Sequence, residues 1–456
     1  MLAIAADAIA AEGPSPALPP LAVPPGFVVE PIAVPPLVQA PTHACFDDQG
    51  RMYVCESFGL NVQRDELLET LPRAVLRLED VDGDGRFDHR TVFADKLTFA
   101  MGATWLNGAL YVVAPPNVWR LEDTDDDGIA DRRDIIVKGF KWSGRSSSVK
   151  GPFLGPEGRL YIPGGYEGYE LSSPNGKKTI SSQGRKAPGV FTCRPDGSDL
   201  ETFANGAAGA YGLTFSEVGE VFGVNTLMRS PRGDGLVHWV YGGVYPTTLE
   251  HPIDVKRTGE LMPILQEWGQ TSPASCQWYR GEQFGDQFTN SVFSAQFNSH
   301  KITATHLTPR GSGFDARDED FLTSTSPDFH PTDVLQDADG SLIVVDTGGW
   351  FVMACPNSRI AKPEITGGIY RVRRQASRPI KDPRGRKLEW TSASVDQMIR
   401  RFDDARFAVR DRAVQAVARR GPTAIRSLAA SLAESQSDTT RRHCVWALAR
   451  FDQPQA

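Results

Sequence analysis

The sequence has no apolar run approaching 18 residues, so no segment reads as a membrane-spanning helix. Its six cysteines, Cys45, Cys55, Cys193, Cys276, Cys355 and Cys444, include no C-x-x-C pair. That excludes covalent c-type haem attachment, a thioredoxin motif and a zinc ribbon within this chain. Such wide separations predict no particular disulfide, and buried free thiols are the preferred reading. There is no excess of positive charge. Lys+Arg number 49 against 56 Asp+Glu, a net of −7, which argues against nucleic acid as the main partner. Charged residues are 23% of the chain, too few for a disordered polyelectrolyte.

What the chain has is turn formers and apolar residues. Glycine and proline contribute 43 and 33 of the 456 residues, which suits a turn-rich all-β protein. At 40% hydrophobic, it can bury a large core without metal or disulfide staples. The charge is divided. Arg371 to Ala456 carries 19 Lys+Arg against 9 Asp+Glu, while the first 370 residues carry −17. Two unlike modules are expected. The N-terminus, MLAIAADAIAAEG, is Ala-rich with A-x-A sites but has no basic region. It reads either as the end of an export signal or as a disordered leader over residues 1–26.

A phrase recurs six times: a small or polar lead, a short apolar strand, a Gly-containing turn and a β-rich return. Its copies begin at His43, Met101, Lys150, Tyr211, Ser275 and His330. The turns DDQG, LNG, PEG, EVG and DADG suit hairpins, and the fifth copy has a longer, irregular one. Further strand-like runs between copies make room for four strands per unit. The expected fold is a six-bladed β-propeller over residues 27–375. Leads and returns would then share one face near the central channel. The returns are Glu56, Asn117, Tyr166, Asn225, Asn298 and Asp346, with Arg229 and His300 following two of them. Any one of these can equally be a loop or blade-joining contact, but several polar groups converging on a channel suggest a site.

Two loops follow the triplet Arg-Leu-Glu and fit D-x-D-x-D-G-x-x-D. One runs Asp80, Asp82, Asp84, Gly85, Asp88; the other runs Asp123, Asp125, Asp127, Gly128, Asp131, with Asp134 at position 12. Carboxylates at positions 1, 3 and 5 can wrap one Ca²⁺, and the glycine permits the sharp turn. No amphipathic helices flank them, so a structural role is expected. Thr91 occupies position 12 of the first loop.

After a linker at residues 376–390 the period becomes helical over residues 391–456. Val409, Ala413, Val414, Ala416 and Val417 form one stripe. The phrase around them returns 31 residues later, with Val409-Arg410 matching Thr440-Arg441. This is similar to HEAT-type α-repeats, incomplete here; since one repeat cannot bury its apolar face alone, the expectation is a fragment, a truncated reading frame, or a partner that covers that face.

The stretch HPTDVLQDADGSLIVVDTGGW through CPNSRIAKPEITGGIYRVRR, preceded by VFSAQFNSHKI, resembles a family of large bacterial exported proteins. These are labelled PVC-type haem-binding CxxCH proteins or membrane-bound dehydrogenases. The paired acidic loops and the following helices match the same order. Members commonly end in a cytochrome c domain, and this chain has no C-x-x-C-H. More distantly, the propeller is similar to soluble quinoprotein sugar dehydrogenases. That resemblance implies pyrroloquinoline quinone over the channel, a histidine base and nearby calcium.

The resulting expectation is an exported dehydrogenase, periplasmic, secreted or associated with the cell envelope. It would oxidise a sugar or another alcohol or aldose and pass electrons to a cytochrome c partner. His43 or His330 would be the base; Lys150, Arg229 and Tyr211 would hold the cofactor; Asn225, Asn298, Asp346 and Glu56 would position substrate. One alternative is a non-catalytic scaffold binding a glycan or protein, with a plugged channel and hydrogen-bonded histidines. A weaker one is a Ca²⁺-dependent hydrolase or lactonase.

Overall fold

The computed structural model describes residues 19–60, 62–145, 149–176, 178–184, 186–206, 209–226, 233–247, 257–351 and 360–451. The chain is a six-bladed β-propeller followed by a few helices. Blade one is the antiparallel sheet Pro41–Phe46, Met52–Glu56, Arg73–Glu79 and His89–Leu97. Blades two to five have the same four-strand antiparallel core, their innermost strands being Ala103–Leu106, Phe153–Leu154, Ala210–Phe215 and Pro273–Trp278; blade two is extended by Tyr169–Ser172 and Ile180–Ser181, and blade five by Leu21–Ala22. Blade six differs. Its inner strands Pro331–Gln336, Leu342–Asp346 and Gly368–Arg374 take their outermost partner from the other end of the chain, Phe27–Ala33.

The innermost strands run from the lead face to a tight turn on the opposite face. That turn is one structure used four times. Asp47, Gly155, Ser216 and Asp337 each pair by backbone hydrogen bonds with the residue four positions on, and Gly50, Gly158, Gly219 and Gly340 close the bend. These glycines have φ between 88° and 93°, a region that a Cβ disfavours. Side-chain oxygens of Asp47 and Ser216 accept the turn's free amides. Apolar side chains of adjacent blades interleave to form the core. Tyr53 of blade one, for example, stacks on Trp105 of blade two at 5.3 Å.

The C-terminal helices Val395–Ile399, Phe407–Arg419, Ile425–Glu434 and Asp438–Leu448 pack around Met398, Phe402, Val414, Leu428 and Cys444. Ser394 caps the first, its side chain and that of Gln397 each bonding the other's backbone amide. The stripe expected to need a partner is covered within the chain: Val409, Ala413, Val414, Ala416 and Val417 are all buried. This corrects the partner-dependent reading. The reason is that the neighbouring helices supply Met398, Phe402, Leu428, Cys444 and Ala447 to cover it, while the propeller's turn face meets other residues of the C-terminal segment. Arg384, Arg450 and Trp446 come within 2.9, 2.8 and 2.7 Å of where a Cβ on Gly50, Gly158 and Gly219 would stand. The turn glycines therefore serve the bend and the docking at once.

One ion-pair group ties the two modules. Arg280, in the long turn of blade five, pairs with Glu217 of blade four at 2.6 Å and with Asp411 of the helix Phe407–Arg419 through both terminal nitrogens. Phe407 lies under the same guanidinium at 5.0 Å. Arg280→Ala leaves Glu217 and Asp411 with Arg410 as their nearby cation and is expected to cost about 3 kcal/mol, the low end for a broken buried pair because the groups are part-exposed. Hydrogen exchange should then rise first in the helices 407–448, with the blade strands still protected. Unchanged exchange there would show that the contact holds nothing.

Candidate functional site

Four inner strands shift register at their second residue, between Pro41 and His43, Ala210 and Gly212, Pro273 and Ser275, and Pro331 and Asp333. Such a bulge re-aims the following side chain. It brings His43, Ser275 and Asp333 to the wall of the axial cavity, opposite Gly102 and Gly151, which have no side chain. Asp333 Oδ2 accepts from Ala44 N at 3.0 Å and Oδ1 from its neighbour Val334 N, while Ser275 also bonds this carboxylate. One carboxylate thus links blades five, six and one at the axis.

His43 is buried, and neither ring nitrogen has a protein partner. Burial, and then the charge of Lys150, hold its pKa well below the ordinary 6.5, so the imidazole is neutral. Lys150 is buried too. Burial pushes it down to about 7, against the pull of Asp333, and its Nζ lies 5.7 Å from the centre of the Tyr211 ring. Asp333 is itself raised by burial.

The second histidine behaves differently. His330 Nδ1 meets the carbonyl of Gly348 at 2.8 Å, its ring lies against Phe297, and burial lowers its pKa to about 4. His300 stands 5.0 Å away and is held by the carbonyl of Phe329. Both are occupied by backbone, and His43 is not.

The expected substrate contacts each make a local hydrogen bond, while Glu56 Oε2 and Asn225 Nδ2 stay buried without a protein partner. Glu56 accepts from Gln39 N, Asn225 Oδ1 from Gly209 N at 3.2 Å, and Asp346 Oδ1 from His330 N and Gly348 N at 2.8 and 2.9 Å. Each return residue closes the lead of its own blade. Asn298 Nδ2 donates to Ser272 Oγ at 3.0 Å. Arg229, expected at the cofactor, lies outside the described residues. Met101 is in the core. The lead pattern does not single out Asp333, because His330 occupies the expected lead position of blade six. The signal was present: Pro41-Thr42-His43, Pro273-Ala274-Ser275 and Pro331-Thr332-Asp333 are one phrase.

The acidic loops join the third and fourth strands of blades one and two, so they share the face that carries the helices. Oxygens of Asp80, Asp82 and Asp84 lie within 4.8 Å of one another, as do those of Asp123, Asp125 and Asp131. Asp88 instead accepts from Val81 N and Asp82 N, and Asp127 from Ile129 N. Asp134, expected at position 12, is on a strand and pairs with Arg132 at 2.7 Å. Each loop rests against an arginine of the preceding blade. Arg371 donates to Gly85 O at 2.6 Å, and Arg77 pairs with Asp123 at 3.3 Å.

Residues 13–376 match a family described as a domain of unknown function, DUF7133. The chain belongs to that family. No curated protein matches it. Among solved structures, the DUF7133 chain is similar to the holo PQQ domain of pyranose dehydrogenase from Coprinopsis cinerea, with a TM-score of 0.54 and 12% identity over 78% of this chain and 97% of that one. A Trichoderma reesei carbohydrate-active enzyme of family AA12 gives 0.53 and 13%, over 80% and 100%. An oxidoreductase described as a glucose dehydrogenase from Thermus thermophilus gives 0.51 and 16%, over 76% and 100%. At these identities the likeness is one of fold.

Burial raises Glu56 to about 8. Its raised value favours folding fully below pH 4.5, and that contribution is lost as pH rises through 8. Glu56→Gln keeps an oxygen for Gln39 N and cannot ionise. Urea melts should find it equal to the parent near pH 4.5 and more stable at pH 8, by on the order of 2–4 kcal/mol.

Proposed function

We propose that this DUF7133 protein is an exported oxidoreductase that oxidises a sugar, or another alcohol or aldose, with a quinone-type cofactor over the axial channel. The observation that carries the reading is His43, a buried neutral imidazole with both nitrogens unpartnered, beside a buried lysine at the convergence of the blades. The fold it shares with sugar and pyranose dehydrogenases supports the same class. The Ala-rich leader supports export.

The described residues fit such a cofactor. Lys150 offers a cation whose burial Asp333 only partly offsets, so that an anion such as a carboxylate would stabilise it further, and the Tyr211 ring beside it offers a face for a flat ring system. When bound, the quinone supplies the two-electron acceptor that side chains lack. His43 takes the proton of the substrate hydroxyl. Lys150 stabilises negative charge developing on that oxygen. Asp333, by bonding Ala44 N, holds the strand that carries His43. Electrons would then pass to a separate carrier such as a cytochrome c. The scaffold alternative requires bonded histidines and a plugged channel, which His43 and the axial cavity do not favour. The hydrolase alternative requires several carboxylates and amides around the axis; Asp346 and Asn298 bond within their own blades, and Glu56 accepts Gln39 N with one of its two oxygens, which favours it less.

Ca²⁺ in the two acidic loops belongs to the same proposal, with a structural role. The three converging carboxylates of each loop support it, and Gly85 and Gly128, with φ of 92° and 94°, give the bend. Bound ions would stiffen loops that already rest on Arg371 and Arg77. Chelation should lower Tm by several degrees, and added Ca²⁺ should restore it with measurable heat. Neither heat nor a shift in Tm would remove calcium from the account.

Reconstitution tests the enzyme. Pyrroloquinoline quinone with Ca²⁺ should bind, and a panel of sugars should reduce an artificial acceptor dye. His43→Gln is expected to bind the quinone and lose about 10²–10⁴-fold in kcat. The base remains deprotonated well below pH 6.5, so kcat should hold on the acid side. Quinone affinity should fall as pH rises through 7, because Lys150 sheds its proton there. Absence of both quinone binding and dye reduction would reject the reading.

A further inference from the structure

The axial cavity continues from His43 to the helices and ends on them. Its volume is about 400 Å³, enough for a monosaccharide with several waters. Its apex is His43, Ser275 and Asp333, and its floor includes Gln415, Trp446 and Phe407 from the C-terminal helices.

Three properties of the wall restrict what can occupy it. First, Arg280 and Arg384 are paired within the protein, and Asp333 is already hydrogen-bonded to Ala44 N, Val334 N and Ser275. Arg280 is neutralised by Glu217 and Asp411, and Arg384 pairs with Asp337. Arg450 donates to the carbonyl of Pro156 at 2.8 Å and feels the Glu157 carboxylate. An ionic ligand would compete with the pairs of Arg280 and Arg384. Second, hydrogen-bonding groups at both ends lack protein partners while buried. They are His43 Nδ1 and Nε2 at the apex, and Gln415 Oε1 at the floor, on a residue only 9% exposed. The amide nitrogen of Gln336, on the wall between, is also without one. Groups left in this state ask for a polar occupant. Third, aromatic rings of Trp446, Phe407, Phe153 and Phe215 line the same space, offering surfaces to C–H faces.

Polar groups at both ends, aromatic sides and arginines Arg280 and Arg384 already paired together describe a site for a neutral molecule rich in hydroxyls. We propose that the propeller and the C-terminal helices jointly form a binding site for an uncharged polyol of monosaccharide size. The site lies on the helix side of His43, which it shares with the proposed catalytic centre, while Lys150 and Tyr211 of the cofactor seat are not among its lining residues. The helical segment lies beyond the family match at residue 376, so it gives this chain a pocket that the propeller alone does not form.

The test is binding to the full chain without added quinone, read by calorimetry and by tryptophan fluorescence. D-glucose is the neutral probe; D-gluconate and D-glucosamine are the charged ones. Glucose should bind, and both charged analogues should bind at least tenfold more weakly. Gln415→Leu removes the floor acceptor, and Ala408→Phe fills space beside it; each should weaken glucose at least tenfold. Quinone binding in these two variants should match the parent, which separates this site from the cofactor seat. Failure of the cofactor proposal leaves the glucose result standing. No glucose binding, preferential binding of a charged analogue, or glucose binding undisturbed in both folded variants would each overturn the proposal.

Discussion

Everything in the molecule depends on closing the ring. Blade six is complete only when Phe27–Ala33 pairs antiparallel with Gly368–Arg374, joining the two ends of the propeller in one sheet. Phe27 anchors that strand with edge-on contacts to Phe284, Phe288 and Phe321, at 4.9 to 5.9 Å. Closure leaves no open edge between the first and last blades. It also brings Asp333 of blade six against Ala44 of blade one, so the axial carboxylate and the histidine beside it become neighbours through the ring bond.

The two faces then differ in how they handle buried polarity. On the turn face, charge is matched: Arg280 sits between two carboxylates, and Arg77 and Arg371 lie against the acidic loops. This is the arrangement that buried charge tolerates best. At the axis it is not matched. His43 has no partner, and Lys150 and Asp333 are driven toward neutrality by burial. Polar groups left in that state lower stability, so they mark the place where a ligand would restore what folding removed.

Much of this was legible in the sequence, because it is local. The lead–strand–turn–strand phrase names six blades, since each copy carries its own apolar alternation and its own turn glycine. The acidic loops announce their bends through Gly85 and Gly128. The helix Phe407–Arg419 follows from the spacing of Val409, Ala413, Val414 and Val417. The site was harder. His43 and Lys150 were among the leads, but so was His330, whose ring is held by backbone carbonyls. Glu56, Asn225 and Asp346 do reach the lead face, where they close their own blades. Identity and spacing do not tell a free side chain from one that accepts a backbone amide, because that depends on the local path of the lead.

The sequence by itself determined the number of blades, the turn chemistry, the acidic loops and the helical character of the C-terminal segment. Each is encoded by residues a few positions apart. Tertiary structure alone decided that an N-terminal strand completes blade six, and that a one-residue bulge points Asp333 rather than His330 at the axis. It alone decided that the helices cover the turn face through the glycines that form it. These depend on contacts between residues tens to hundreds of positions apart, and no local pattern carries that information.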